Sequence, residues 1–163
     1  MRMRLIVALL LLAMSTACAA AANEEKQVPL RDSRANASQA LLEAKDYKVN
    51  SYEGVAHSYT LTKEKLTELP YMMYWGLQSV DPLNYVGKEI IIDKFVVEDH
   101  PLAKGKVEVY VYSSEGQPFG GTSVPYRRRD DGGYWSMDGK TLEEIQPKSF
   151  QEWQKAWMAR YTP

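Results

Sequence analysis

The chain has 163 residues, with 20 Lys and Arg against 21 Asp and Glu, two His and one Cys. That length suits one domain, and 45% hydrophobic with 25% charged residues is ordinary globular composition, unlike that of a disordered chain. A formal net charge of -1 provides no basic face for nucleic acid, and one Cys with two His excludes an internal disulfide or a cysteine-rich zinc site.

The first element is a leader. Arg2 and Arg4 form a basic start, followed by the apolar run Leu5–Met14. As a helix this run would span about 15 Å, half a bilayer core, so it predicts an export signal over 1–17 and not a membrane-crossing helix. Met14-Ser15-Thr16-Ala17-Cys18 follows, small residues leading straight into the single cysteine. This stretch resembles the lipobox of bacterial lipoproteins, with Ser15 where that family usually has Leu. The resemblance implies diacylglycerol on the Cys18 thiol, cleavage just before Cys18, and anchoring at the extracytoplasmic face of the cell membrane. Two acyl chains hold where one does not, since each buried CH2 contributes about 0.8 kcal/mol. The competing reading is ordinary secretion, with a cut after Ala20-Ala21-Ala22 that discards Cys18.

Losing Arg2 and Arg4 with the leader takes the net charge from -1 to about -3, so an anionic membrane surface would not attract the domain by itself. Residues 18–34 lack a periodic apolar pattern and are expected to form a flexible tether. The single domain is expected over 35–163.

Asn36 and Gln39 suggest a capping box for a helix over Ala37–Lys45, with Ala37, Ala40, Leu41 and Ala44 on its apolar face. Tyr47–Tyr52 and Ala56–Leu61 read as two short strands around Glu53-Gly54. Thr62 caps a second helix carrying Leu66 and Leu69; Pro70 should kink or restart it, and Tyr71–Val80 continues it to Asp81-Pro82. Glu89–Glu98 reads as a strand covered on both faces or carrying a bulge. Asp99–Gly105 is turn-like. Val107, Val109 and Val111 alternate with Glu108, Tyr110 and Tyr112, as in a half-buried strand. Glu115-Gly116 turns the chain into Phe119–Tyr126, and Asp130–Gly133 turns it into Tyr134–Met137. Thr141/Glu144 and Ser149/Glu152 each fit a capping box, and Phe150, Trp153, Trp157 and Tyr161 form one stripe of a terminal helix. The sum is an α+β fold: an antiparallel meander of about four to six strands, packed by an N-terminal helix, a Pro-kinked middle helix and a C-terminal amphipathic helix.

Tyr47-Lys48-Val49, Pro70-Tyr71, Trp75, Asp81-Pro82, Tyr85, Gly87-Lys88, His100-Pro101-Leu102 and Gly120-Gly121, in this order, look like certain uncharacterised lipoproteins of Gram-positive bacteria. That likeness implies a compartment and a fold class, and no chemistry.

Candidate chemistry is sparse. His100 lies beside Glu98 and Asp99, where a metal or proton-transfer role competes with a plain turn; metal sites need three or four protein ligands. Gly120–Pro125 lacks the fifth glycine and the strand-to-helix setting of a nucleophile elbow, so its glycines point to a bulge or a close approach. Arg127, Arg128 and Arg129 could grip an anion, or form a solvated turn beside Asp130-Asp131. The 11 Tyr and 4 Trp against 3 Phe favour rings with polar handles, which suit interfaces with sugars or proteins. Tyr110 and Tyr112, opposite the valines, are the leading binding candidates, either exposed or covered by a helix. No cofactor or metal is implied. Two functions follow from different classes. One is a membrane-anchored, non-enzymatic binding domain of the envelope, with a protein or glycan partner and no nucleic acid. The other is an extracytoplasmic hydrolase working through a carboxylate pair, whose spacing leaves no mark in sequence.

Overall fold

The computed structural model describes residues 33–127 and 133–162. Helix α1 (Ser33–Glu43) leads into strand β1 (Lys48–Thr60), then α2 (Lys63–Thr67), α3 (Tyr71–Gly76) and a 3-10 turn (Pro82–Tyr85). Strands β2 (Glu89–Glu98), β3 (Val107–Ser114), β4 (Gln117–Pro125) and β5 (Trp135–Ser136) follow, then α4 (Leu142–Ile145) and α5 (Phe150–Tyr161). The five strands lie in sequence order, each antiparallel to the next. The α+β meander expected from the sequence is therefore the fold, with terminal helices packed on the sheet.

Local chemistry explains most boundaries. Thr62 accepts from the Lys65 amide and starts α2. Pro70 has no N–H to continue a helix, so α2 stops at Thr67 and α3 begins at Tyr71. Both late capping boxes form, at Thr141/Glu144 and Ser149/Glu152. Ser114 pairs with Gln117 across a two-residue loop in which Glu115 and Gly116 both take positive φ, the geometry whose twist matches a hairpin.

The sheet carries helices on both faces. On one, Phe95, Val97, Val107, Val109 and Val111 pack with Met137, Tyr47 and Leu42 of α1. On the other, Ile90, Ile92 and Tyr112 pack with Leu61, Leu66, Trp75 and Tyr161. Met72, Leu77, Leu142 and Trp153 knit α3, α4 and α5 together, and the Trp157 indole donates to the Leu66 carbonyl at 2.6 Å. Double coverage corrects the half-buried reading of β3: Glu108 and Tyr112 are buried along with the valines.

Other expectations are corrected as well. Helix α1 begins at Ser33, so Asn36 lies inside it and the Asn36/Gln39 box does not form; Gln39 bonds Glu43 instead. Its buried face is Arg34, Ala35, Ser38 and Leu42, and the tether expected over 18–34 gives up Ser33 and Arg34 to the domain. The cause is tertiary: Arg34 pairs with the fully buried Asp93 of β2. Tyr52 also donates to Asp93 at 2.9 Å, and Ser38 lies 3.4 Å away. The two strands expected around Gly54 are one, with Gly54 at a register break. Three such breaks run along β1, the long outer strand, and an irregular edge resists pairing with another sheet. Finally, α3 ends at Gly76, pressed so close to Trp153 that a Cβ there would lie 2.5 Å from the indole.

Candidate functional site

Alternation along β3 places Tyr110 and Tyr112 on the sheet face opposite the valines, beside Ile92 of β2 and Thr122 of β4. Pro70 restarts the chain as α3, which sets Tyr71 and Tyr74 three residues apart on one helix face. Tyr134 closes the arrangement from the segment before β5, and Ala56 and His57 of β1 form the rim. Together these side chains line a cleft of about 280 Å3.

Its walls are rings in contact. Tyr74 meets Tyr134 edge to face at 4.8 Å, and Tyr110 meets Tyr134 at 6.2 Å. Outside the walls, the Lys65 ammonium lies 4.8 Å from the Tyr71 ring centre and the Lys94 ammonium 5.9 Å from that of Tyr110. Lys94 is paired with Glu108 at 3.1 Å, and the Tyr110 hydroxyl donates to the same carboxylate at 3.0 Å.

Burial, opposed by the Thr122 hydroxyl and reinforced by neighbouring tyrosines, pushes the Tyr112 phenol well above its usual range. Burial, then the adjacent Tyr134 hydroxyl, does the same for Tyr74. Both phenols therefore remain neutral and can both donate and accept hydrogen bonds. At the floor, Thr122 has no exposed surface. Although it neighbours Tyr112, its Oγ1 finds no partner in hydrogen-bonding geometry.

Across the Tyr74–Tyr134 pair lies a second, more apolar cleft of about 510 Å3, walled by Leu69, Met73, Leu77, Leu142 and Phe150. The two share Pro70, Tyr74 and Tyr134.

The other sequence candidates are elsewhere. His100 is buried in the β2–β3 connection against Tyr47, its Nε2 bonded to the Met137 carbonyl at 2.8 Å and its Nδ1 accepting from the Leu102 amide at 3.0 Å. With both ring nitrogens engaged by backbone, His100 clasps two loops. Burial holds its pKa below the usual value, so it stays neutral. Arg127 is exposed after β4 with its guanidinium 5.0 Å from the Tyr126 ring centre, and is not among the residues lining the cleft. Arg128, Arg129 and Cys18 lie outside the described residues.

Gly120 and Gly121 serve a close approach. Gln78 accepts from the Gly121 amide at 2.8 Å and donates to its carbonyl at 3.3 Å, supplying both bonds a neighbouring strand residue would make. A Cβ on Gly121 would lie 2.3 Å from the Tyr110 carbonyl oxygen. Ser123 donates to the Ser136 carbonyl at 2.7 Å, a structural duty.

Tyr71, Tyr74, Tyr134, His57 and Thr122 escaped the sequence reading. The three-residue spacing of Tyr71 and Tyr74 after Pro70 is a legible signal; nothing local marks Tyr134 or Thr122. Among the described residues, no group of three His, Cys, Asp or Glu side chains is placed to hold a metal, and no helix is long and apolar enough to cross a membrane. The cleft lining includes no Asp, Glu, Lys or Arg among the described residues. No family model, curated protein or solved structure matches this chain.

Proposed function

We propose that the protein is an extracytoplasmic lipoprotein, held at the cell membrane through lipid on Cys18, whose domain binds an uncharged ligand of the cell envelope in the tyrosine cleft. The observation that carries the binding reading is the cleft itself: tyrosine rings line it, and charged side chains are missing from its described lining. Pockets that are mostly apolar with a few convergent polar groups are the usual form of small-molecule sites. The anchor rests on the sequence, where the single Cys follows a short apolar run and small residues.

Each half has its own test. Fatty-acid labelling and membrane fractionation of wild type and Cys18→Ala should give a labelled, membrane-bound wild type and an unlabelled variant. An unlabelled wild type beginning at Asn23 would remove the anchor. For the cleft, ligand-observed NMR with a library of small neutral molecules should give hits that weaken in Tyr134→Ala, which trims an exposed rim ring. Hits that all persist unchanged in that variant would move binding elsewhere.

A further inference from the structure

We infer that a third cleft, between α5 and the 78–82 segment, binds a small oxyanion, a ligand carrying a carboxylate or phosphate group. This cleft shares no lining residue with the tyrosine cleft, so the inference does not depend on the binding reading above. Its volume is about 370 Å3. Trp153, Trp157 and Arg160 of α5 line one wall, at the three- and four-residue spacings that share a helix face. Lys148, just before α5, and Trp75 and Asp81 also line it.

Two observations give the guest its sign. First, one buried donor is unused. The Trp75 indole donates to the Tyr59 hydroxyl at 3.0 Å, and that of Trp157 to the Leu66 carbonyl at 2.6 Å. Trp153 is only 4% exposed, yet its indole N–H meets no acceptor among the described residues. The nitrogen is not fully enclosed, so it opens where this residue lines the cleft. An indole N–H donates and never accepts, so the ligand must bring the acceptor. Second, the charges in the described lining are two cations, Lys148 and Arg160, against one carboxylate, Asp81. Asp81 is already engaged, accepting from Arg160 Nη2 at 2.6 Å and from the Leu83 amide at 3.0 Å. That bond takes one donor of the Arg160 fork and leaves the others to a second oxyanion. Lys148 has no carboxylate within ion-pair distance among the described residues; Glu152, which it influences, is held in the Ser149 capping box outside the lining. A neutral carbonyl would satisfy the indole and gain nothing from the cations, and a cationic guest would be repelled by them. An oxyanion answers both.

The test follows the assigned indole N–H cross-peak of Trp153 by NMR. The purified protein is titrated with inorganic phosphate, with acetate and with neutral N-methylacetamide, all at constant ionic strength. Wild type, Arg160→Gln, Lys148→Gln and Asp81→Asn are compared, with melting temperature as the control for folding. All three substitutions fall on side chains with solvent exposure, so the fold should persist. The Trp153 peak should move saturably with phosphate or acetate, with a Kd of about 1 mM for so small a ligand, and the anion that saturates first names the group. Arg160→Gln should weaken binding about tenfold, through loss of charge-assisted bonds, and Lys148→Gln about threefold. Asp81→Asn removes the competing carboxylate and should tighten binding about threefold, a gain that a neutral guest would not show. A Trp153 peak unmoved by both anions would overturn the inference. So would equal movement with N-methylacetamide, or an Asp81→Asn variant that binds the anions no better than wild type. None of these outcomes bears on the tyrosine cleft.

Discussion

Replacing Arg34 by Met tests what seats the first helix on the sheet. The Asp93 side chain has no exposed surface and that of Arg34 only 8%, so neither charge is screened by solvent. Removing the guanidinium leaves a buried carboxylate with only hydroxyl support, from Tyr52 at 2.9 Å and Ser38 at 3.4 Å. Breaking a buried pair from one side costs about 3–5 kcal/mol, a large part of the roughly 5–15 kcal/mol that holds a domain together. With a urea m-value of about 2 kcal/mol/M, the unfolding midpoint should fall by roughly 2 M. Replacing both partners, Arg34→Met with Asp93→Leu, removes the orphaned charge as well and should recover most of the loss. Tyr52→Phe alone should cost about 1.5–3 kcal/mol, as a hydrogen bond to a charged group. Urea unfolding of wild type, Arg34→Met, Asp93→Leu and the double variant, combined as a double-mutant cycle, gives the coupling energy directly. A loss below about 1 kcal/mol for Arg34→Met, the scale of exposed pairs such as Lys88–Glu115, would refute this account. So would a double variant as unstable as the single.

Other consequences are equally open to measurement. Gly121→Ala drives a methyl to 2.3 Å from the Tyr110 carbonyl oxygen and 2.8 Å from the Met137 methyl, and should cost about 1–3 kcal/mol in thermal unfolding; a neutral result would mean that β4 shifts freely. Gln78→Met strips the Gly121 amide and carbonyl of their side-chain partners and should cost about 1–3 kcal/mol in the same assay, whereas loss of a free-standing surface amide would cost nothing measurable. His100 has its folded pKa depressed by burial below the ordinary 6.5, so the unfolded chain takes up the proton first. Stability should therefore be at its full value above pH 6.5 and decline as pH falls from there toward the folded pKa. Urea midpoints of wild type and His100→Gln between pH 8 and pH 5 should converge as pH falls, and parallel curves would contradict the assignment.

How far the sequence carried depended on the range of each interaction. The boxes at Thr141/Glu144 and Ser149/Glu152 bond within four residues, and the Glu115-Gly116 turn within two, so their chemistry is written where it acts. The start of α1 is set by a partner 59 residues away, and no local rule of capping registers that. Tyr110 and Tyr112 were legible as one face of a strand because alternation is local. That the face is roofed by α3, and that Tyr134 and Thr122 complete it, depends on where distant segments come to rest. Likewise the glycines at 120 and 121 announced a close approach, while the approaching group, Gln78, lay 43 residues earlier.

The pairing of Arg34 with Asp93 also orders the assembly of the molecule in time. The β2–β3 and β3–β4 hairpins join neighbours in the chain and close short loops, which cost little entropy. Helix α1, first in sequence, packs against β1, β3 and β4, so its berth exists only after the meander has formed behind it. For a chain emerging N-terminus first, Arg34 is among the earliest of these residues to appear and among the last to settle. Helix α1 thus closes the domain, and partial unfolding should begin where assembly ended.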